Sequence, residues 1–341
     1  IITQTPNKMK KNVIFVAAFM LMAGGAMAQS NNSVVSQTGD SHRATASQNG
    51  RLNTSTITQE NNNNTATLDQ DGTSNAATQR QTGAASRYNT AAVDQNGRAN
   101  TATQNQVYHS NNNSANIDQN GSENTATQNQ GGDYENGLFL GIGRATAKSE
   151  YNSANIVQAG SNNTATQNQN GDAGLFTSDP SRRNVADINQ RGTYNTATQN
   201  QSKESSSNEA FIVQGGDRNT ATQNQNNDSG SNTARINQSG ADNTATQNQN
   251  GSSEDNLADT DQTGTFNVAS QNQSNISGEN RAYINQSGNR NNASQNQSGI
   301  SGYNRAYIDQ TGNDNTATQN QSGLSGFNVA RATQSGNLNY A

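Results

Sequence analysis

The chain has 341 residues, of which 28% are hydrophobic with alanine included, 5% aromatic and 13% charged, with a formal charge of −5. That is too little large apolar side chain for a conventional core, while the low charge and the 2 prolines argue against a disordered chain. With no cysteine, and with only His42 and His109 as histidines, most enzyme classes lack the side chains they need, and neither a metal nor a cofactor is expected.

At the N-terminus, Met9-Lys10-Lys11 precedes an apolar run over 13–23 and the small-residue sequence Ala26-Met27-Ala28. This is the pattern of a secretory signal peptide over residues 9–28, cleaved after Ala28, with residues 1–8 lying upstream of the natural start. The run is too short to span a bilayer, so no membrane insertion is expected. Removing residues 1–28 takes away Lys8, Lys10 and Lys11 and no acid, which moves the formal charge from −5 to −8. An exported acidic chain is not expected to bind nucleic acid.

Residues 29–63 carry a weak repeat with 11-residue steps at Asn31, His42 and Asn53 and degraded positions at Ser33, Ala46 and Ser55. They read as a degenerate, capping or partly ordered segment. His42 stands where the pattern calls for asparagine, which makes it a substituted repeat position rather than a metal ligand.

From Asn64 onward two phrases alternate. The first is Asn-x-Ala-x-Ile-x-Gln-x-Gly: Asn113, Ala115, Ile117, Gln119 and Gly121, then Asn232, Ala234, Ile236, Gln238 and Gly240, then Asn304, Ala306, Ile308, Gln310 and Gly312. The second, NTATQNQ, starts 11 residues later: Asn124, Ala126, Gln128 and Gln130, then Asn243, Ala245, Gln247 and Gln249, then Asn315, Ala317, Gln319 and Gln321. From Asn184 the full period is 24 residues. Recurrence at every second position is the signature of a strand with one special face. The intervening positions hold all the strand charges, including Asp118, Asp187, Arg235 and Asp259, and none falls at an inward position. Glycine in Gln-x-Gly-x-x-Asn supplies the positive φ of a tight reversal.

These features predict an all-β fold: a flattened cross-β solenoid with two short strands per 24-residue rung and rungs about 4.8 Å apart. Ten full rungs start at Asn64, Asn89, Asn113, Asn152, Asn184, Asn208, Asn232, Asn256, Asn280 and Asn304, and a partial one at Asn328. Insertions at 131–151 and 170–183 fall between rungs, where loop closure costs little. Both contain Gly-Leu-Phe, at 137–139 and 174–176, which would permit a small contact between the loops.

One aliphatic residue per rung cannot offset the ordering of 24 residues, so backbone ladders and stacked amides must supply the rest. An inward Asn or Gln is satisfied when the same residue lies one rung above and below. An end rung then offers half-satisfied amides to another copy of itself. The last rung, with Asn328, Ala330, Gln334, Gly336 and Asn339, is the expected growth surface, because the sequence stops mid-strand without a capping element. Head-to-tail addition makes an interface that does not close and so yields a fibre.

The pattern Gln119-x-Gly121-x-x-Asn124-x-Ala126-x-x-x-Gln130 resembles the curlin repeat of curli major subunits, the secreted functional amyloid of Gram-negative biofilms. The resemblance implies export through a dedicated outer-membrane secretion channel with accessory secretion factors, nucleation by a minor subunit, and assembly into adhesive extracellular fibres. It also makes residues 29–63 similar to the family's N-terminal secretion-targeting segment. This chain departs from the family in having more repeats, asparagine rather than serine at the first inward position, and the two long insertions.

Other readings are weaker. Outward rows such as Thr125/Thr127 and Thr244/Thr246 resemble the Thr-x-Thr face of ice-binding solenoids, but Val268/Ser270 and Asn292/Ser294 interrupt them. Gly215-Gly216-Asp217 is an isolated echo of a calcium-roll repeat, and Gly141-x-Gly143 lacks the context of a nucleotide loop. No pair of inward carboxylates suits a glycosidase. A nucleator within the same family is a further alternative, although near-uniform rungs favour the major subunit.

Overall fold

The structure, a computed structural model, describes residues 30–83, 85–132, 148–173, 178–179, 181–202, 205–226, 229–252, 254–274, 277–298, 301–323 and 326–341. The expected signal peptide and both Gly-Leu-Phe segments lie outside them. The described residues contain strands and no helix, arranged as a parallel β-solenoid.

Two sheets of twelve strands each form its walls. One runs from Asn32–Asp40 through Thr54–Asn62, Ala76–Gln81 and Thr101–Val107 to Thr316–Ser322, and contains every NTATQNQ phrase; we call it the threonine sheet. The other, the isoleucine sheet, runs from Arg43–Arg51 through Thr65–Thr73 and Ser114–Ser122 to Val329–Asn337. Successive strands of the chain alternate between the two, so each rung contributes one strand to each wall.

Pairing is parallel and in register, like on like. Ile117 pairs with Ile156, Gln119 with Gln158 and Gly121 with Gly160, although 39 residues separate them, because the insertion leaves the stack at its edge. Rung spacing in sequence is 24 residues between Ser114–Ser122 and its predecessor, and 22 between the first strands, where Asn32 pairs with Thr54 and Arg43 with Thr65. Residues within 29–63 are thus strands of the same two walls. They make one complete rung more than the ten expected, with half-rungs at Asn32–Asp40 and Val329–Asn337.

Parity holds along each strand. In Ser114–Ser122, Ala115, Ile117 and Gln119 are at most 2% exposed, and the residues between them face solvent. The core is a column of Leu68, Val93, Ile117, Ile156, Ile188, Ile212, Ile236, Ile284 and Ile308 between columns of alanine and buried amides. Among the described residues no Asp, Glu, Lys or Arg is buried. Thr260 replaces the aliphatic residue in one rung, and its hydroxyl donates to Gln271 Oε1 at 3.0 Å and accepts from Gln247 Nε2 at 3.1 Å.

The reversals use two left-handed residues. Gly121 has φ of 134° and ends its strand, and Glu123, two residues on, has φ of 57°. The residue before almost every inward asparagine is left-handed and non-glycine, including Tyr194, Asp242, Phe266 and Tyr303. Side chains other than Gly, Asn and Asp normally avoid this region. Here the conformation is fixed by a backbone bond to the previous rung: Glu123 N donates to Arg98 O at 2.9 Å, and Tyr194 N to Ser161 O at 3.1 Å.

A third, narrow strip closes one edge. Ser149–Glu150 pairs with Ser110–Asn111 and with Ser181–Arg182, so the chain rejoins the stack before each insertion ends. The buried serines of this strip take the inward asparagine three residues later as donor: Asn113 Nδ2 to Ser110 Oγ at 2.8 Å, and Asn184 Nδ2 to Ser181 Oγ at 2.9 Å. Sequence analysis missed this column. Its signal is the recurrent Ser-x-x-Asn at 86–89, 110–113, 149–152, 181–184, 205–208 and 229–232.

Candidate functional site: the two ends of the amide ladders

Three glutamine ladders run through the core. In the isoleucine sheet, twelve glutamines from Gln48 through Gln119, Gln238 and Gln310 to Gln334 are joined end to end, each Nε2 donating to the next Oε1 at 2.7–2.9 Å. A second set of twelve in the threonine sheet, from Gln37 through Gln130 and Gln249 to Gln321, has the same spacing and the same direction. The third begins at Gln79 and passes through Gln104, Gln128 and Gln247 to Gln319 at 2.8–3.3 Å.

The direction of these ladders is fixed by the backbone. Each Nε2 also donates to a main-chain carbonyl of the other sheet, as Gln119 does to Thr101 O at 3.0 Å and Gln104 to Ala92 O at 2.8 Å. Turning one amide over would set oxygen against oxygen both there and along the ladder. Every ladder glutamine therefore points its ladder donor toward the C-terminal end.

The inward asparagines add a parallel system at the turns. Asn219 Oδ1 accepts from Asn243 N at 3.0 Å, and its Nδ2 donates to Gly240 O at 3.0 Å, so one side chain serves two groups of the following rung. Asn124 and Asn163 repeat the arrangement. The turn glycines let the backbones approach this closely. A Cβ on Gly121 would lie 1.9 Å from Gly160 O, and one on Gly240 would lie 2.0 Å from Gly264 O.

The structure places the interior residues singled out from sequence, Asn113 to Gln130 and Asn232 to Gln249, in these columns with at most 2% exposure. Asn304, Ala306, Ile308, Gln310, Asn315 and Ala317 are likewise buried, whereas Gln319 is half-buried and Gln321 is 8% exposed because they lie at the C-terminal edge. Asn328, Ala330 and Asn339 are half-buried, Gln334 is 5% exposed and Gly336 is open. His42 stands at an inward asparagine position of the first full rung, and its Nδ1 accepts from Asn64 N at 3.4 Å.

The two ends differ in hydrogen-bonding character. At the N-terminal end Gln37 and Gln48 turn their Oε1 atoms outward from the stack, since their Nε2 atoms are committed to Gln59 and Gln70. At the C-terminal end Gln321 and Gln334 already accept from Gln297 and Gln310, and the Nε2 proton not held by Arg305 O or Thr316 O points away from the stack. In these two glutamine columns one end presents acceptors and the other donors. A Cβ on Gly336 would meet only Asn339 Nδ2 at 3.8 Å, unlike one on an interior turn glycine.

A family profile described as the curlin associated repeat matches residues 30–60. This segment carries curlin repeats. The match covers the segment whose rungs are 22 residues long, where Gln37-x-Gly39-x-x-His42-x-Ala44-x-x-x-Gln48 and Gln48-x-Gly50-x-x-Asn53-x-Ser55-x-x-x-Gln59 carry the pattern. Register pairing then carries the same curlin-repeat columns, glutamine over glutamine and glycine over glycine, from there to Gln334 and Gly336. No match to the chain is found among curated proteins.

Charge is confined to the outside of the curlin repeats. Asp69, Asp94 and Asp118 stack in one column of the isoleucine sheet. Burial pushes the Asp94 carboxyl above its ordinary range, and Asp118, Asp69 and Asp71 push it the same way. Burial and Asp261 likewise raise Asp259, against a smaller opposing effect of Arg235. At the turns Arg218 and Arg290 hold Asp242 and Asp314 at 2.8 and 2.6 Å, and these hydrogen bonds keep both carboxyls below the ordinary range.

Proposed function

We propose that this chain is the structural subunit of an extracellular, curli-like amyloid fibre that grows head to tail by adding rung upon rung. The observation that carries the reading is the common direction of the ladders, which leaves acceptors at one end and donors at the other in the same columns. Stacking one copy on another would put Gln334 beneath Gln48, Gln321 beneath Gln37 and Gly336 beneath Gly50. The end amides still reach water, and stacking exchanges those water contacts for ladder bonds worth about 0.5–1.5 kcal/mol each. The partner is therefore the chain itself. A curli-type outer-membrane secretion channel, accessory secretion factors and a minor nucleator subunit follow from the family, as do the biofilm matrix and surface adhesion. The curlin-repeat proteins are structural, and the fibre reading needs no catalytic group or cofactor.

Gly336→Ala tests it. In the isolated chain the added methyl meets open space and costs only the backbone strain of its φ of 104°, whereas in the fibre it would also lie against the Gly50 carbonyl of the next copy, as interior glycines do at 1.9–2.1 Å. The variant should fold, fail to elongate from its C-terminal end, and stop wild-type growth when added in trace amounts. Elongation of Gly336→Ala at the wild-type rate would overturn the head-to-tail reading.

A second reading has one observation in its favour: Thr125, Thr164, Thr196, Thr220 and Thr244 form an unbroken outward row, as an ice-binding face would require. Thermal hysteresis by the soluble chain would support it. A nucleating role within the same assembly is distinguished by whether the chain forms the bulk of the fibre mass.

A further inference from the structure

The two walls of the solenoid carry different chemistry on their outer faces. The isoleucine sheet holds Asp69, Asp94, Asp118, Arg235, Asp259 and Asp309 among its outward residues. In the threonine sheet none of the nine strands from Thr101–Val107 to Thr316–Ser322 contains a charged residue. Over all twelve strands of the isoleucine sheet there are ten acids and eight arginines, so strand charge of both signs sits there and leaves the nine threonine strands neutral.

The uncharged face is also inexpensive to dehydrate. Its outward asparagines form a ladder of their own: Asn105, Asn129, Asn168, Asn200, Asn224 and Asn248 are linked Nδ2 to Oδ1 at 2.7–2.9 Å. Asn272 and Asn296 form a further pair of the same kind at 3.0 Å. Amides that already satisfy one another lose little on leaving water, and beside them run two straight rows that are mostly threonine. The nine strands span about 43 Å along the axis and about 20 Å across, so two such faces in contact would bury roughly 1,700 Å² in total, the size of a stable protein interface.

We propose that the threonine sheet is a lateral pairing surface whose occupant is a second copy of this chain, so that the fibre contains two solenoids packed threonine face to threonine face. This rests on the fibre reading above. A second copy is favoured over any other occupant because its rung spacing is identical, so each contact repeats at every rung without accumulating mismatch. The interface is isologous, and the charged walls are left outside.

Mass per length of the fibre, measured by electron scattering, tests the inference. Wild-type fibres should show two solenoids in cross-section. Thr222→Lys with Thr246→Lys, both outward on the threonine sheet, should reduce mass per length twofold while the fibres still elongate. Val213→Lys with Asn237→Lys, on the opposite wall of the same rungs, should leave it unchanged. The proposal is overturned by a wild-type fibre of one solenoid, which is the result expected if the face serves ice, a polysaccharide or solvent. It is equally overturned by paired fibres that the threonine-face lysines do not split. If wild-type chain forms no fibre at all, the polymerisation reading fails separately. Sedimentation of the soluble chain then decides the pairing: a dimer that the Thr222 and Thr246 variant dissociates supports it, and a wild-type monomer refutes it.

Discussion

Replacing Gln286 by leucine removes one member of the ladder between Gln262 and Gln310. Gln262 Nε2 loses its acceptor at 2.8 Å and Gln310 Oε1 its donor at 2.9 Å, and the Gln286 contact to Val268 O at 2.9 Å goes as well. Two orphaned buried groups cost about 1–3 kcal/mol each, and the better burial of leucine offsets part of this, leaving a net loss of roughly 2 kcal/mol. That corresponds to about a thirtyfold shift in the folding equilibrium of the chain, read by equilibrium denaturation. Replacing Gln286 and Gln310 together also breaks the ladder at two points only, now at Gln262 Nε2 and Gln334 Oε1. The further loss is a side-chain contact to Asn292 O at 3.1 Å, whose carbonyl belongs to a paired strand. The double variant should therefore cost about as much as the single one, while Asn285→Ser and Asp309→Ser, at an exposed pair, should change the folding equilibrium little. A double variant that costs twice the single one would refute the idea that the ladder acts as a unit with costs only at its breaks.

Interior glycines should be far less tolerant than Gly336: Gly240→Ala drives a methyl to 2.0 Å from Gly264 O and should abolish the cross-β signature of that region in hydrogen exchange, where Gly336→Ala preserves it. Gln79 offers the converse case, because its Oε1 has no donor where Ile57 occupies the rung before it. Gln79→Leu removes that orphan while creating one at Gln104, whereas Gln128→Leu creates two, so the first should be less destabilising by about 2–6 kcal/mol in equilibrium denaturation. Acid should tighten the N-terminal acidic column: Asp94 titrates above its unfolded value, so the folded chain holds the extra proton across that window, and stability falls as pH rises through it. Asp118→Asn should flatten this part of the pH profile. Asp242 and Asp314 act in the opposite sense, contributing stability that is lost as pH falls through their lowered pKa, and high salt should remove most of their effect.

Much of this architecture is local and so was legible in the residue pattern. Alternation of Asn, Ala, Ile and Gln with polar residues sets which side chains face inward, because a strand turns over every second residue whatever its neighbours. The turn glycines, with φ of 134° at Gly121 and 109° at Gly240, follow from the same local logic. Other features depend on what stacks on what. Residues 29–63 read as degenerate because Ser33, Ala46 and Ser55 depart from the later phrases, yet their backbones pair in register, since a parallel ladder needs matching strand length more than matching side chains. The left-handed tyrosines and phenylalanines before the inward asparagines are held by bonds from the neighbouring rung, and no propensity announces them. The common direction of the amides, the orphan at Gln79 and the uncharged wall are likewise tertiary: each amide chooses its orientation from the rung beside it, and a face exists only once strands far apart in sequence have been laid side by side.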